Sequence, residues 1–306
     1  MYETDDPRSA LATASAAPVP TSSAFGASTY ARFYATPPQD EDALQKSWYA
    51  RGQNFIIAYS DAKAGAVFAR NAQIDEYVLL LPDADSAVTV EVGGETQQIA
   101  GFTVVMIPRG ASKVTVTSGG RIVRLLTTQN ADMAGLASNA DVYVGPHPQV
   151  PAFQPWPDPV GGFKIRSYSL DVPDTPGRFG KIFRCTTFMV NVFPPQMGPR
   201  DPAKLSPHHH DDFEQCSLAI GGTYVHHLRW PWTANLADWR ADEHEECGTP
   251  SIAVIPPRVI HTSAATDPGS NLLVDIFSPP RMDFSAMAGW VLNADDYPAP
   301  AATTPA

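Results

Sequence analysis

His208 and His210 stand two residues apart in Ser-Pro-His-His-His-Asp-Asp-Phe-Glu-Gln-Cys-Ser-Leu-Ala-Ile-Gly, residues 206 to 221. An extended chain turns side chains two apart to one face, so these two imidazoles share a face that His209 does not. Glu214 follows four residues after His210 and joins them after a small bend. Two imidazoles and a carboxylate on one face suit a first-row divalent metal. A further imidazole, His261, closes the stretch Ile255-Pro256-Pro257-Arg258-Val259-Ile260-His261. A site of this kind requires strands, and the rest of the chain supplies them.

From Asn54 to about Gln129 the chain reads as short apolar or β-branched runs, 54–59, 77–81, 87–92 and 121–126, most of them bounded by Gly, Pro, Asp or Asn. Gly93-Gly94 and Gly119-Gly120 read as hairpin turns. Residues 145–162 hold six prolines and three glycines, which suits a connection and neither helix nor strand. The strand pattern resumes over 163–170, 181–192, 213–230, 251–255 and 271–277. One short helix is expected over 41–50, and Pro/Ala/Thr-rich flexible tails at 1–28 and 298–306. The expected organisation is a barrel over 29–144, a linker over 145–162 and a second barrel over 163–297.

The joint spacing H-x-H-x(3)-E-x(6)-G, followed by P-x-x-x-x-H, resembles the two motifs of the cupin superfamily. It matches at His208, His210, Glu214 and Gly221, then at Pro256 and His261, and departs at Arg258, where the family usually has Gly. The resemblance implies an all-β fold of jelly-roll barrels. A weak internal repeat makes it two in tandem, a bicupin. Met106-Ile107-Pro108-Arg109-Gly110-Ala111-Ser112-Lys113 resembles 254–261, and Glu76 falls where the second unit has Glu214. In that alignment Arg70, Ala72 and Lys113 replace the three histidines, so the first barrel is expected to lack a metal site.

The expected ligands are His208, His210, Glu214 and His261 around one divalent ion. Fe(II) comes first among the expected metals, with Mn(II), Zn(II) and Ni(II) also suited. Four protein ligands leave two octahedral positions for substrate and water or O2. Tyr224 and His226 share one face of the run 224–230, with His227 and Arg229 on the other, and are expected at the cavity. Arg258, beside the last ligand, is expected to hold a substrate carboxylate. The spacing from Glu214 to His261 exceeds that from Glu76 to Lys113 by ten residues, placed between Trp230 and Glu246. Its tryptophans and arginines suit either a pocket wall or a subunit contact.

These features point to a metal-dependent enzyme on a small-molecule substrate. An Fe(II) dioxygenase of a small organic acid, aromatic acids included, is the first expectation. A metal-dependent isomerase or epimerase of a sugar acid is the alternative, and a non-catalytic binding cupin the third. A net charge of −11 argues against a nucleic-acid partner. Cys185, Cys216 and Cys247 are odd in number and widely spaced, which suits reduced thiols rather than disulfides, with Cys216 a candidate for the barrel interior. No run of eighteen apolar residues suggests a membrane span, and the acidic amino terminus does not read as a secretory signal. A cytoplasmic homodimer is the expectation.

Overall fold

Both faces of Tyr77–Leu81, Thr103–Ile107 and Ser251–Ile255 are buried along their whole length. Strands of this kind belong between two apolar layers, and that is where they lie. The structure, a computed structural model, describes residues 7–10 and 25–301. A seven-stranded antiparallel sheet runs Arg166–Ser169, Thr103–Ile107, Tyr77–Leu81, Gly120–Thr127, Phe55–Ala62, Gln45–Arg51, Asp40–Glu41. It closes a first barrel with the four-stranded sheet Val67–Gln73, Gly110–Ser118, Ala87–Val92, Glu95–Ala100. The second barrel pairs another seven-stranded sheet, built on Ser251–Ile255, Gln215–Gly221, Ser270–Phe277, Met189–Val192 and Lys181–Arg184, with a three-stranded one, Glu243–Cys247, Tyr224–Arg229 and Ile260–Ala265.

The two large sheets pack on each other. Ile57, Leu80, Val104 and Leu125 of one meet Cys216, Leu218, Val254 and Ile276 of the other in the main core. Cys216 therefore faces this core and not the barrel interior, because its neighbours Gln215 and Ser217 take the inward positions. The alternate residues of the first barrel, among them Ile56, Phe68, Tyr77, Leu79 and Ile122, fill its interior with apolar side chains. In the second barrel the inward positions of the corresponding strand are Gln215, Ser217 and Ala219, which are polar or small, and a cavity remains.

Several expectations are corrected. Residues 41–50 are not helix: Asp40–Glu41 and Gln45–Arg51 form an antiparallel pair, and Tyr49 and Ala50 point into different cores. Gly119-Gly120 does not turn a hairpin. It lies where the chain leaves the four-stranded sheet for the seven-stranded one, whereas Gly93-Gly94, both with positive φ, does close one. The barrel boundaries at 29 and 163 do not separate the strands. Thr29–Arg32 pairs with the edge strand Ser251–Ile255 of the second barrel, and Arg166–Ser169 with Thr103–Ile107 of the first. Each half covers an open sheet edge of the other, which removes a pairing liability. No strand or helix occurs in 145–162. Residues 1–6 and 11–24 of the expected tail, and 302–306, lie outside the described residues. Of the rest, Arg8 is buried and Phe25 packs beside the second barrel.

Candidate metal centre

The backbone brings the histidines together. His208 and His261 exchange hydrogen bonds as an isolated antiparallel bridge, 3.1 and 2.7 Å, and Arg258 N–H donates to the His210 carbonyl at 2.5 Å. The three imidazole rings stand 4.4 Å (His208–His261), 5.0 Å (His208–His210) and 5.0 Å (His210–His261) apart. One nitrogen from each lies within 4.8 Å of the others. His209 is exposed, as strand alternation requires.

The nitrogens are prepared for a cation. A carbonyl only accepts, so Nδ1–H of His208 donates to Ser206 O and Nδ1–H of His261 to Val259 O, each at 2.9 Å. Nε2 of both rings then carries the lone pair. Among the described residues, buried His261 Nε2 has no hydrogen-bond partner. Such an orphan is costly in a protein interior unless it meets a ligand. Burial holds His208 and His210 well below the usual histidine range and His261 down to about 4, so all three are neutral at pH 7. These residues fit a divalent metal.

Glu214 does not join them. Its carboxylate accepts from the backbone N–H of Gln53 at 2.5 Å and from the Tyr143 hydroxyl at 3.3 Å, both in the first half of the chain. Burial pushes its pKa up to about 7. A Cβ at Gly52 would come 2.5 Å from the Phe55 ring and 2.8 Å from the Glu214 carboxylate, so this position leaves no room for a side chain. Glu76 makes the mirror-image contacts, accepting from Thr186 N–H (3.1 Å), Thr186 Oγ1 (3.0 Å) and the Tyr297 hydroxyl (2.7 Å) in the second half. The internal repeat is thus real at this pair, but its carboxylates bind the barrels to each other. One residue along, the side chain turns to the opposite face, and Gln215 points to the histidines. His210 Nε2 lies 2.8 Å from Gln215 Oε1, while Gln215 Nε2 donates to Asp275 Oδ1 at 3.1 Å and to Ser217 Oγ at 3.0 Å.

The histidines open into a cavity of about 460 Å³, whose walls include His208, His261, Gln215, Tyr224, Asp275, Arg8 and Arg200. Asp275 Oδ1 is held by Ser217 Oγ (2.9 Å) and Gln215, and no described group donates to Oδ2. Burial raises the Asp275 pKa to about 6. Arg8 and Arg200 both donate to Ser206 Oγ, at 2.8 and 2.9 Å.

Of the expected catalytic residues, Tyr224 lines this cavity. His226 lies behind the wall, fully buried, with Nδ1 2.8 Å from Ser263 Oγ. Arg258 is not at the cavity: its guanidinium lies 4.7 Å over the ring of Phe25. Its backbone takes φ +65°, so the turn keeps the left-handed conformation that favours Gly although the residue is Arg. The 230–246 insertion also stays away from the cavity. Trp232 and Trp239 stack on each other at 4.5 Å, and Arg229 pairs with Asp242. In the first barrel, Arg70 pairs with Asp132 and Lys113 with Glu91. Gln215, Asp275, Arg8 and Arg200 escape the sequence reading. Only Asp275 left a signal, as a lone acid inside the apolar run Asn-Leu-Leu-Val-Asp-Ile-Phe.

No family model and no curated protein matches the sequence. Solved structures do match. AerE from Microcystis aeruginosa is 9% identical, with a TM-score of 0.53 over 85% of this chain and 100% of that one. The formate complex of Lactobacillus farciminis oxalate decarboxylase is 12% identical, TM-score 0.54, over 85% and 89%. The Momordica charantia 7S globulin is 14% identical, TM-score 0.52, over 82% and 84%. The protein has the bicupin fold. Proteins named as a decarboxylase and as a globulin both match this fold, so the fold leaves the chemistry to the site. Among the described residues, no helix of the bicupin is long and apolar enough to cross a membrane.

His226 gives the bicupin an acid-sensitive point. Burial holds its pKa down to about 3, against 6.5 for an exposed histidine. Below pH 6.5 the unfolded chain binds a proton at this ring that the folded chain refuses, so stability falls as pH drops and is flat above. Between pH 6.5 and 4.5 the loss from this group is roughly 2–3 kcal/mol. Urea midpoints at pH 7.5 and pH 5 should therefore differ less in His226→Gln than in the unaltered protein. Equal losses in both would remove His226 as the cause.

Proposed function

We propose that the second barrel is the active site of a metal-dependent enzyme acting on a small organic acid. The supporting observation is the content of one cavity: metal-binding imidazoles, the Asp275 carboxylate and the guanidiniums of Arg8 and Arg200 share its walls. Its volume of about 460 Å³ suits a small metabolite. A bound metal supplies a Lewis acid or, as Fe(II), a site for dioxygen. The side chains do the rest. Arg8 and Arg200 set positive charge at the cavity of a protein of net charge −11, which favours entry of an anion. Phe179, Phe193 and Leu273 supply the apolar wall. Asp275 Oδ2 and the Tyr224 hydroxyl are placed to take or return a proton.

The more specific reading is an Fe(II) dioxygenase. A metal held by His208, His210 and His261 would keep coordination positions open for a carboxylate and O2. A second reading, a sugar-acid isomerase or another conversion without O2, is favoured by Asp275, because such reactions need a proton-transfer group rather than an oxidant. The likeness in fold to enzymes named for oxalate agrees with a carboxylate substrate under either reading. The test is oxygen consumption by Fe(II)-loaded protein across aromatic and aliphatic acids, beside anaerobic assays of uronates with Mn(II) or Zn(II). Oxygen uptake tied to one acid supports the dioxygenase. Anaerobic turnover supports the second reading, and silence in both arms removes the proposal of an enzyme on such acids.

A further inference from the structure

The histidines supply three donors, and the carboxylate expected as the fourth is engaged between the barrels. Gln215 stands in its place. Its Oε1 is 2.8 Å from His210 Nε2. Two neighbouring ligand atoms on an octahedral ion with bonds of about 2.1 Å lie about 3 Å apart. In the metal-free arrangement the His210 Nε2–H donates to Oε1. Replacing that proton by a cation leaves both atoms near their present separation. The amide cannot turn round without loss, because its Nε2 donates to Asp275 Oδ1 (3.1 Å) and Ser217 Oγ (3.0 Å). A carboxylate behind a ligand fixes its orientation and raises its donor strength. Asp275 holds that place behind Gln215.

We propose that Gln215, through Oε1, is the fourth protein ligand of the metal, with Asp275 as the carboxylate that orients and polarises it. This rests on the reading that the histidines bind a metal. It makes the ligand set neutral, so the ion keeps its full double charge in the cavity. A carboxylate substrate then meets a stronger cation than it would beside a bound glutamate.

The test is Co(II) binding by the full-length protein, read by chelator competition and by the visible absorption of the bound ion, with circular dichroism checking the fold of each variant. The unaltered protein should bind one Co(II) per chain. Gln215→Leu should lose more than about 100-fold in affinity and change the Co(II) spectrum, and Asp275→Asn, a group behind the ligand, should weaken binding less, by roughly 10–100-fold. Glu214→Gln, which keeps an acceptor toward Gln53 and Tyr143, should alter neither affinity nor spectrum. Gln215→Glu should restore binding and shift the spectrum again, so that a folding defect in the leucine variant does not decide the matter. Loss of affinity in Glu214→Gln with none in Gln215→Leu would overturn the ligand assignment alone. Failure of the unaltered protein to bind Co(II) would overturn both the assignment and the reading beneath it.

Discussion

His261→Ala should abolish metal-induced stabilisation while costing the metal-free protein little. The ring contributes a donor nitrogen that is buried and without a partner among the described residues. In the metal-free state that orphan is a liability, so its removal offsets part of the cavity left by the ring. In the presence of metal the balance reverses. Binding at one hundred times the dissociation constant stabilises the folded state by about 2.7 kcal/mol. Loss of a direct ligand should weaken affinity by more than the roughly 10–100-fold typical for a group behind a ligand. Thermal melts with and without Co(II) or Zn(II), beside elemental analysis, measure both. A variant that keeps the full shift in melting temperature would show that the ion binds elsewhere.

The second large effect concerns stability. Glu76→Ala should destabilise the protein by roughly 3 kcal/mol, because it strands three buried donors at once: the backbone N–H and hydroxyl of Thr186 and the hydroxyl of Tyr297. Glu76 is 1% exposed, so water does not reach these groups without rearrangement. The loss lies between the barrels, at residues that do not line the cavity, and should leave metal affinity unchanged. Glu214→Ala should destabilise through the mirror-image contact to Gln53 and Tyr143. Urea unfolding followed by tryptophan fluorescence reads both. If either variant unfolds at the same urea midpoint as the unaltered protein, the carboxylate at that position does not bind the barrels together.

The contrast between Glu214 and Gln215 shows how far a spacing argument carries. Histidines two apart and a turn before a third are local patterns, and the structure brings His208, His210 and His261 together on them. The carboxylate was one residue away from the correct face. Strand alternation is strict once a strand has begun, but the bend between His210 and Gln215 sets its phase, and four residues of loop do not reveal that phase. Glu214 and Gln215 were equally placed until the N–H of Gln53, 161 residues earlier, took the first of them. The same limit applies to Arg258. Its position beside the last ligand is local, but the ring that draws its guanidinium away belongs to Phe25, near the start of the chain.

What the sequence determined by itself was set by short-range physics. Runs of β-branched and apolar residues between turns made the protein all-β, and the histidine spacing picked out the imidazoles that the structure brings together. Which surfaces meet is settled by long-range packing. The edge strands exchange between barrels, the repeated glutamates lock the barrels instead of binding metal, and Arg8 reaches the cavity from the far end of the chain. These contacts join residues 60 or more positions apart. They follow from burying two apolar sheets against each other, a requirement of the whole chain that no single segment carries.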